Sequence, residues 1–321
     1  MKNGKMAWLA RRMAISAVLL VLVSALIFAA TQALPGDVAA MILGTDATPD
    51  QVAALRTQMH LNDPIIAQYF SWLGGIFVGN FGYSHIAGLP VASFIGTRVK
   101  NTFVVVTISM LFALPFSMLL GLITALYKDR WFDRFVLAFS LSVNALPEFV
   151  LAVLLVILFS TNVLHILPAL SILSPGLAIT SQLPSLVLPC LTLFLLQITY
   201  LYRLIRSAVI DVLSTEYIQF AELKGLSLRR ILFRHALPNA AVPALQAAAT
   251  VFAVCVGGVV VIEYVFAFPG IGTALTDAVG NRDLAVVQFI VLLIATTFIV
   301  SNIVADMVTA LLTPPGRGEG Q

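Results

Sequence analysis

Charge is what this sequence most lacks. Only 10% of its 321 residues are charged, whereas soluble domains carry about 25%. Hydrophobic residues make up 60% of the chain, and the mean hydropathy is +1.00. These values exclude an ordinary soluble globular protein and predict an integral membrane protein.

Cysteine and histidine are also scarce. The two cysteines, Cys190 and Cys255, both lie in apolar runs, where small buried side chains are expected rather than a disulfide or a metal pair. The four histidines show neither an i, i+4 pair nor zinc-site spacing to a cysteine or carboxylate: His60, His85, His165 and His235. We therefore expect this chain to bind no metal and no cofactor.

Two catalytic signatures are missing as well. The sequence has no GxxxxGK[ST] phosphate-binding loop, so we expect that this chain does not hydrolyse ATP by itself. It has no GxSxG nucleophile elbow either, so no motif supports a membrane-embedded hydrolase.

Six hydrophobic stretches are long enough, at about 20 residues, to cross a bilayer. They are Met13–Thr31, Thr102–Leu126, Phe135–Phe159, Ser185–Leu204, Ala244–Val265 and Ala285–Leu312. The sequence therefore predicts an all-α polytopic membrane protein with six transmembrane helices. Prolines at 115, 147 and 189 fall within these stretches and are expected to kink or break them.

The distribution of basic residues predicts the orientation. With the N-terminus inside, 14 of the 18 Lys and Arg residues lie on the cytoplasmic side, as the positive-inside rule requires. Both termini are then cytoplasmic. A cleaved signal peptide is the competing interpretation of the N-terminus, although its apolar run exceeds the usual 7–15 residues.

This topology divides the chain into a short cytoplasmic start, one span, a long external region and a five-helix core with a cytoplasmic tail. The corresponding residues are 1–12, 13–31, 32–101, 102–312 (with a cytoplasmic loop at 214–243) and 313–321. Within the external region, residues 47–59 and 65–77 are predicted to form two short helices. A further external turn is predicted at Pro269, Gly270 and Gly272.

Polar side chains within or beside the spans are candidates for a translocation pathway. We select Asn144, Glu148, Gln197, Glu263 and Gln288, because polar groups at membrane depth tend to face a bundle interior or an aqueous cavity. Simple solvation at a span end remains the alternative for the two glutamates. Such sparse polarity favours a wide, weakly interacting passage over a proton relay.

Glu216–Pro243, which we call the basic segment, interrupts the most hydrophobic part of the chain. Its cations exclude it from a bilayer centre: Lys224, Arg229, Arg230 and Arg234. We predict two short helices. Ser214 or Thr215 would cap the first, Gly225 would end it in a left-handed conformation, and a second helix capped by Ser227 would run to about Ala236.

The first of these helices presents a partly apolar face that nothing cytosolic in the chain is expected to cover. The face comprises Tyr217, Phe220, Ala221 and Lys224, at i, i+3, i+4 and i+7 spacing. Its cover is either a partner protein or an anionic lipid surface, and composition does not separate the two.

Several motifs now suggest a family. The basic segment closely resembles the cytoplasmic coupling loop of permease subunits from bacterial ABC importers of the dipeptide, oligopeptide and nickel class, at Tyr217-Ile218, Ala221, Lys224-Gly225-Leu226, His235-Ala236-Leu237, Asn239 and Pro243. The resemblance continues in the family's order at Leu34-Pro35-Gly36-Asp37, Pro49–Leu61, the turn at residues 79–84, Pro90-Val91 and Glu263–Asp283.

The resemblance implies that the first helix of the loop docks on a cytoplasmic ATPase subunit. Coupling roles then fall to Tyr217, Ala221 and Gly225, with Gln219, Phe220, Glu222 and Lys224 around them. The sequence departs from the wider superfamily, which has Glu-Ala-Ala where this chain has Gln219, Phe220 and Ala221. Asn80 also stands where an aspartate is common.

The resemblance also implies partners. This chain would be the B-type subunit, paired with a similar C-type permease, two ATPase chains that bind ATP and Mg, and a periplasmic or lipid-anchored binding protein, with no nucleic acid. The alternatives are a stand-alone secondary transporter or channel driven by an ion gradient, with Glu148 and Glu263 as coupling residues, and a membrane-embedded enzyme. The substrate stays open among peptides, nickel and other small solutes.

Overall fold

The computed structural model describes residues 2–33, 38–44, 47–59, 61–84, 86–174 and 179–312. Within these ranges the chain is almost entirely helical, which confirms the all-α prediction. The strands among the described residues form one two-stranded antiparallel hairpin, β1 (Tyr83–Ser84) with β2 (Leu89–Pro90).

Fourteen α-helices lie in the described part of the chain. They are α1 Lys2–Gln32, α2 Val38–Leu43, α3 Pro49–Gln58, α4 Ile65–Phe77, α5 Val91–Leu126, α6 Trp131–Ala145, α7 Glu148–Val156, α8 Leu183–Leu213, α9 Glu216–Leu223, α10 Leu228–Ile231, α11 Leu237–Gly258, α12 Val260–Val265, α13 Ile271–Gly280 and α14 Leu284–Leu312. Two π-helical turns, Ile157–Thr161 and Leu232–Ala236, extend α7 and α10, and a 3₁₀ turn at Ile179–Gln182 precedes α8.

Five of the described helices are long and apolar enough to cross a membrane: α1, α5, α8, α11 and α14. A sixth span exists if the bent pair of α6 and α7 is counted as one. These helices correspond to the six predicted stretches. Several bounds differ: α5 begins at Val91 and α8 continues to Leu213. The fifth predicted stretch also begins earlier, at Leu237, and is divided at Val259 into α11 and α12.

The third predicted span is not one straight helix. The chain bends by 104° between α6 and α7, where Leu146 has extended dihedrals (φ −82°, ψ 135°) and Pro147 precedes the first residue of α7. Proline lacks an amide hydrogen and disfavours the helical conformation of the residue before it, which accounts for the break. Pro115 and Pro189, in contrast, lie inside the continuous helices α5 and α8.

The chain forms two compact units, and the first comprises Met1–Lys100 and Gly270–Ile299. Both short helices predicted after the first span are present. Thr48 and Gln51 form a capping box at the start of α3, which satisfies two amides that the helix leaves open. Tyr69 of α4 contacts α1 through a 2.9 Å hydrogen bond with Ser24 and an edge-to-face contact with Phe28.

The turn before β1 explains how Asn80 can replace an aspartate. Its Oδ1 accepts a 3.1 Å hydrogen bond from the amide of Gly82, and a carboxylate could accept the same bond. Gly82 has a φ of +88°, and a Cβ there would lie 3.2 Å from Cβ of Ala285. The turn therefore requires glycine for its conformation and for its close packing.

The second unit comprises Asn101–Pro269 and Val300–Gln321. Its core packs α5, α8 and α11 around buried aliphatic side chains, among them Leu201, Ile205 and Ala244. Gly121 lies at the closest approach of α5 to α8, since a Cβ there would stand 2.7 Å from Cγ2 of Ile205. Small residues allow membrane helices to pack this closely.

The turn predicted at Pro269, Gly270 and Gly272 lies elsewhere. Ala267 has the left-handed conformation (φ +50°) that ends α12, and the amide of Phe268 donates to the carbonyl of Glu263 at 2.8 Å. Gly270 is an extended residue before α13, and Gly272 is buried in the first turn of that helix. The prediction was wrong for Gly272, because glycine content does not identify an alanine in the left-handed region.

Candidate functional site

The first helix of the basic segment ends as predicted. Gly225 has a φ of +77°, and the amide of Leu226 donates to the carbonyl of Ala221 at 3.2 Å. A left-handed residue followed by this hydrogen bond is a Schellman motif, which reverses the chain tightly after a helix. Gly225 therefore fixes the direction in which the chain leaves α9.

The predicted side-chain caps of α9 are not formed. The hydroxyl of Ser214 donates to the carbonyl of Asp211 at 2.8 Å, and that of Thr215 to the carbonyl of Val212 at 2.6 Å. Both hydroxyls thus satisfy carbonyls at the end of α8, where a short turn leaves acceptors open. The backbone carbonyl of Thr215 accepts the first hydrogen bonds of α9 instead.

Helix α9 has two faces of different character. Ile218 and Ala221 are buried against Ile231 of α10. On the outer face, the exposed fractions are 37% for Tyr217, 63% for Phe220 and 83% for Leu223. The expectation that nothing in the chain covers Ala221 was therefore wrong, because the chain folds back at Gly225 and covers it.

The outer apolar face, which we define as Tyr217, Phe220 and Leu223, includes one residue that sequence reasoning missed. Leu223 lies three positions after Phe220, so helical spacing could have identified it. Gln219 and Lys224 are exposed beside this face. The side chain of Glu222 lies outside what the structure describes.

The first helix of the basic segment, α9, is joined to the long helix α11. Nδ2 of Asn239 donates to the hydroxyl of Tyr217 at 3.1 Å, which ties α9 to the beginning of α11. The backbone also passes from α10 through the π-helical turn into α11 without a break. A force applied to α9 therefore reaches α11 through the hydrogen bond between Tyr217 and Asn239 and, beyond the turn at Gly225, through helical backbone.

Three predicted pathway residues line one cavity of about 340 Å³ in the second unit. This polar cavity is lined by Asn144, Glu148, Leu193, Leu196, Gln197, Tyr200, Thr250, Val251, Val254, Cys255 and Gly258. It lies at the break between α6 and α7, and the walls come from α8 and α11. The helix break thus positions Asn144 and Glu148 at its rim.

The other two pathway candidates are not among the residues that line this cavity. Glu263 is 1% exposed, and its carboxylate accepts a 2.5 Å hydrogen bond from the hydroxyl of Thr102. Gln288 belongs to the first unit, where it donates to the hydroxyl of Thr31 at 2.7 Å and lines a larger cavity of about 830 Å³. Glu263 therefore belongs to a buried hydrogen bond of the second unit, and Gln288 to a cavity of the first unit.

An ion pair that sequence reasoning did not identify connects α6 to α8. Nε and Nη2 of Arg206 each donate to a carboxylate oxygen of Asp133 at 2.7 Å. The amide of Asp129 donates to the same carboxylate at 3.0 Å. The sequence did contain a signal for this pair, because a carboxylate and an arginine lie at the same end of two neighbouring predicted spans.

Metal chemistry finds no support among the described residues, since no group of three or more His, Cys, Asp or Glu side chains within them is arranged to hold an ion.

Comparison with known proteins identifies the family. The model for "Binding-protein-dependent transport system inner membrane component" matches residues 117–315, and "Binding-prot-dependent transport system membrane comp, N-term" matches residues 5–119. The chain belongs to this family. It is a permease subunit of an ABC importer and a multi-pass inner-membrane protein, so the stand-alone secondary transporter is not supported.

Individual relatives extend over almost the whole chain. A putative peptide transport system permease protein of Brucella abortus (strain 2308) is 34% identical over 311 residues, covering 97% of this chain and 99% of that protein. A probable peptide ABC transporter permease protein of Sinorhizobium fredii is 32% identical, covering 96% and 98%. A glutathione transport system permease protein of Salmonella typhimurium is 33% identical, covering 93% and 94%.

Proposed function

We propose that this permease forms half of a translocation pathway for peptides or related small solutes. The names of its relatives, which refer to peptide and glutathione transport, support this substrate class. In this proposal it is the B-type subunit and pairs with a second, homologous permease. Both termini lie in the cytoplasm, as the distribution of basic residues favours.

The basic segment couples the permease to ATP hydrolysis on two separate ATPase subunits, which bind ATP and Mg. The observation that carries this proposal is the outer apolar face on α9, with Phe220 63% and Leu223 83% exposed. A helix with such a face fits a groove on a partner protein. This permease itself contributes no catalytic residue and no cofactor, and a substrate-binding protein delivers the substrate from the external side.

Replacing a residue of the outer apolar face tests the docking. The variant Phe220→Ser, co-expressed with the importer's other subunits, is expected to lose most of the co-purifying ATPase. Phe77→Ser is the matched control, because Phe77 is 82% exposed at the end of α4, in the predicted external region. Equal ATPase recovery in wild type and Phe220→Ser would contradict the proposal.

Gly225 tests the transmission of force. Gly225→Val forces a β-branched side chain into the left-handed region, at about 1–2 kcal/mol. A Cβ there meets no atom within 4 Å, so assembly should survive. We expect ATP hydrolysis without matching uptake in liposomes, and normal uptake would count against the role assigned to this turn.

A further inference from the structure

The rim of the polar cavity is unsuited to lipid. Asn144 and Glu148 are exposed, yet they lie within the part of the chain that forms the third span. A carboxylate facing hydrocarbon is unfavourable by about 2.5 kcal/mol or more. This opening therefore faces water or the second permease, as a translocation pathway would.

Three side chains of the cavity offer hydrogen-bond acceptors: Asn144, Glu148 and Gln197. Gln197 is 1% exposed, its Nε2 donates to Sγ of Cys255 at 3.4 Å, and its Oε1 has no partner among the described residues. Nδ2 of Asn144 donates to the carbonyl of Ser140 at 2.9 Å, which leaves its Oδ1 as an acceptor. A buried amide oxygen without a partner is unfavourable by about 1–3 kcal/mol until a donor arrives.

The charge of the cavity has one sign. Glu148 supplies a carboxylate, and no Lys or Arg occurs among the described residues that line the cavity. Most of the remaining wall is apolar, with Leu193, Leu196 and Val251 among its members, and the hydroxyl side chains of Tyr200 and Thr250 complete it. A volume of about 340 Å³ lies within the usual range for small-molecule sites, about 300–1,000 Å³.

We propose that the polar cavity receives the protonated amino group of the transported solute. An alkylammonium group has three N–H donors and a positive charge, which match the Glu148 carboxylate and the amide oxygens of Asn144 and Gln197. The apolar wall accommodates the carbon skeleton that carries the amine. This inference rests on the proposed function, since it places substrate recognition within the translocation pathway.

Cys255 provides a reporter inside the cavity that does not depend on the substrate-binding protein. The experiment uses the assembled importer in liposomes, with the other cysteine of this chain removed by Cys190→Ala and accessible cysteines of the partners replaced. Two methanethiosulfonates of similar size, one carrying a trimethylammonium and one a sulfonate, are allowed to modify Cys255. Each rate is divided by the rate for a free thiol in solution.

We expect the cationic reagent to react faster after this correction, because Glu148 attracts it. The variant Glu148→Gln should lower the ratio of the two rates roughly tenfold, whereas Glu148→Asp should preserve most of it. Asp211→Asn is the matched control, since Asp211 is an exposed carboxylate at the end of α8. An unchanged ratio in Glu148→Gln, or an equal fall in Asp211→Asn, would overturn the inference.

Protection by a ligand tests the amine directly. Alanyl-alanine amide carries a protonated amino group and should slow modification of Cys255. Its N-acetylated form lacks that charge and should not. Equal protection by both, or a thiol that reacts with neither reagent in any state of the importer, would overturn the inference. ATPase activity is measured in the same liposomes. If only this inference fails, ATP hydrolysis coupled to uptake persists, whereas it is lost if the proposed function fails.

Discussion

Glu148 and Glu263 are both acidic residues of the membrane region, but their surroundings differ. Glu263 is 1% exposed and hydrogen-bonded to Thr102, whereas Glu148 is exposed at the rim of a cavity lined by further acceptors. A satisfied buried carboxylate stabilises the fold, while one beside unsatisfied acceptors is available to a ligand. Their sequence contexts alone did not distinguish these roles.

Asp133 extends this comparison to a carboxylate that is paired with an arginine, and replacing that arginine gives the largest expected effect. Arg206→Met should lower the free energy of unfolding by about 3–5 kcal/mol, because it leaves a carboxylate with 3% side-chain exposure without its counterion. Titration with a denaturing detergent measures this change. Adding Asp133→Leu should recover most of the loss, and a double variant as unstable as the single one would contradict the explanation.

Glu263 should give an intermediate effect. Glu263→Ala removes the carboxylate that accepts a hydrogen bond from the buried hydroxyl of Thr102, so we expect a loss of about 1–3 kcal/mol in the free energy of unfolding. Glu263→Gln keeps an acceptor at this position and should lose less. If instead Glu263→Ala retained full stability and abolished uptake, the contrast with Glu148 would be wrong.

A substitution in the turn that follows Glu263 should raise the free energy of unfolding, unlike the two preceding substitutions. Ala267→Gly removes a Cβ from a left-handed residue, and stability should rise by about 0.5–1 kcal/mol. Ala208→Gly inside α8 is the control and should lower stability by a similar amount. Destabilisation by both variants would show that the conformation of Ala267 is not strained.

Glu148 should give the smallest change in stability. Because its side chain is exposed, Glu148→Ala should alter the free energy of unfolding by no more than about 0.5 kcal/mol. The same variant should reduce uptake of a solute with a protonated amine. A loss of stability as large as that of Glu263→Ala would remove the distinction between the two glutamates.

Sequence reasoning predicted the fold well wherever composition or a single residue decides it. Hydropathy located the long helices, because each must present apolar side chains to lipid. Gly225 identified the end of α9, since its left-handed conformation favours glycine. The positions of α3 and α4 followed from Pro49 and from apolar spacing.

Features that depend on tertiary contacts could not be predicted from the sequence. Pro147 indicated a kink, but its 104° angle depends on how α6 and α7 pack. The inward position of Ala221 depends on the chain reversing after α9, and Gln288 was grouped with residues of another unit. The coupling roles came from the resemblance, because helical spacing alone left lipid and protein equally suitable as partners.

The π-helical turn at Leu232–Ala236 makes the permease sensitive to chain length at this point. Such a turn amounts to one extra residue within an α-helix, and each residue of an α-helix rotates the chain by about 100°. Deleting one residue here would allow regular helix from α10 into α11, but it would turn the outer apolar face of α9 by about that angle. The extra residue thus sets the direction in which this face points.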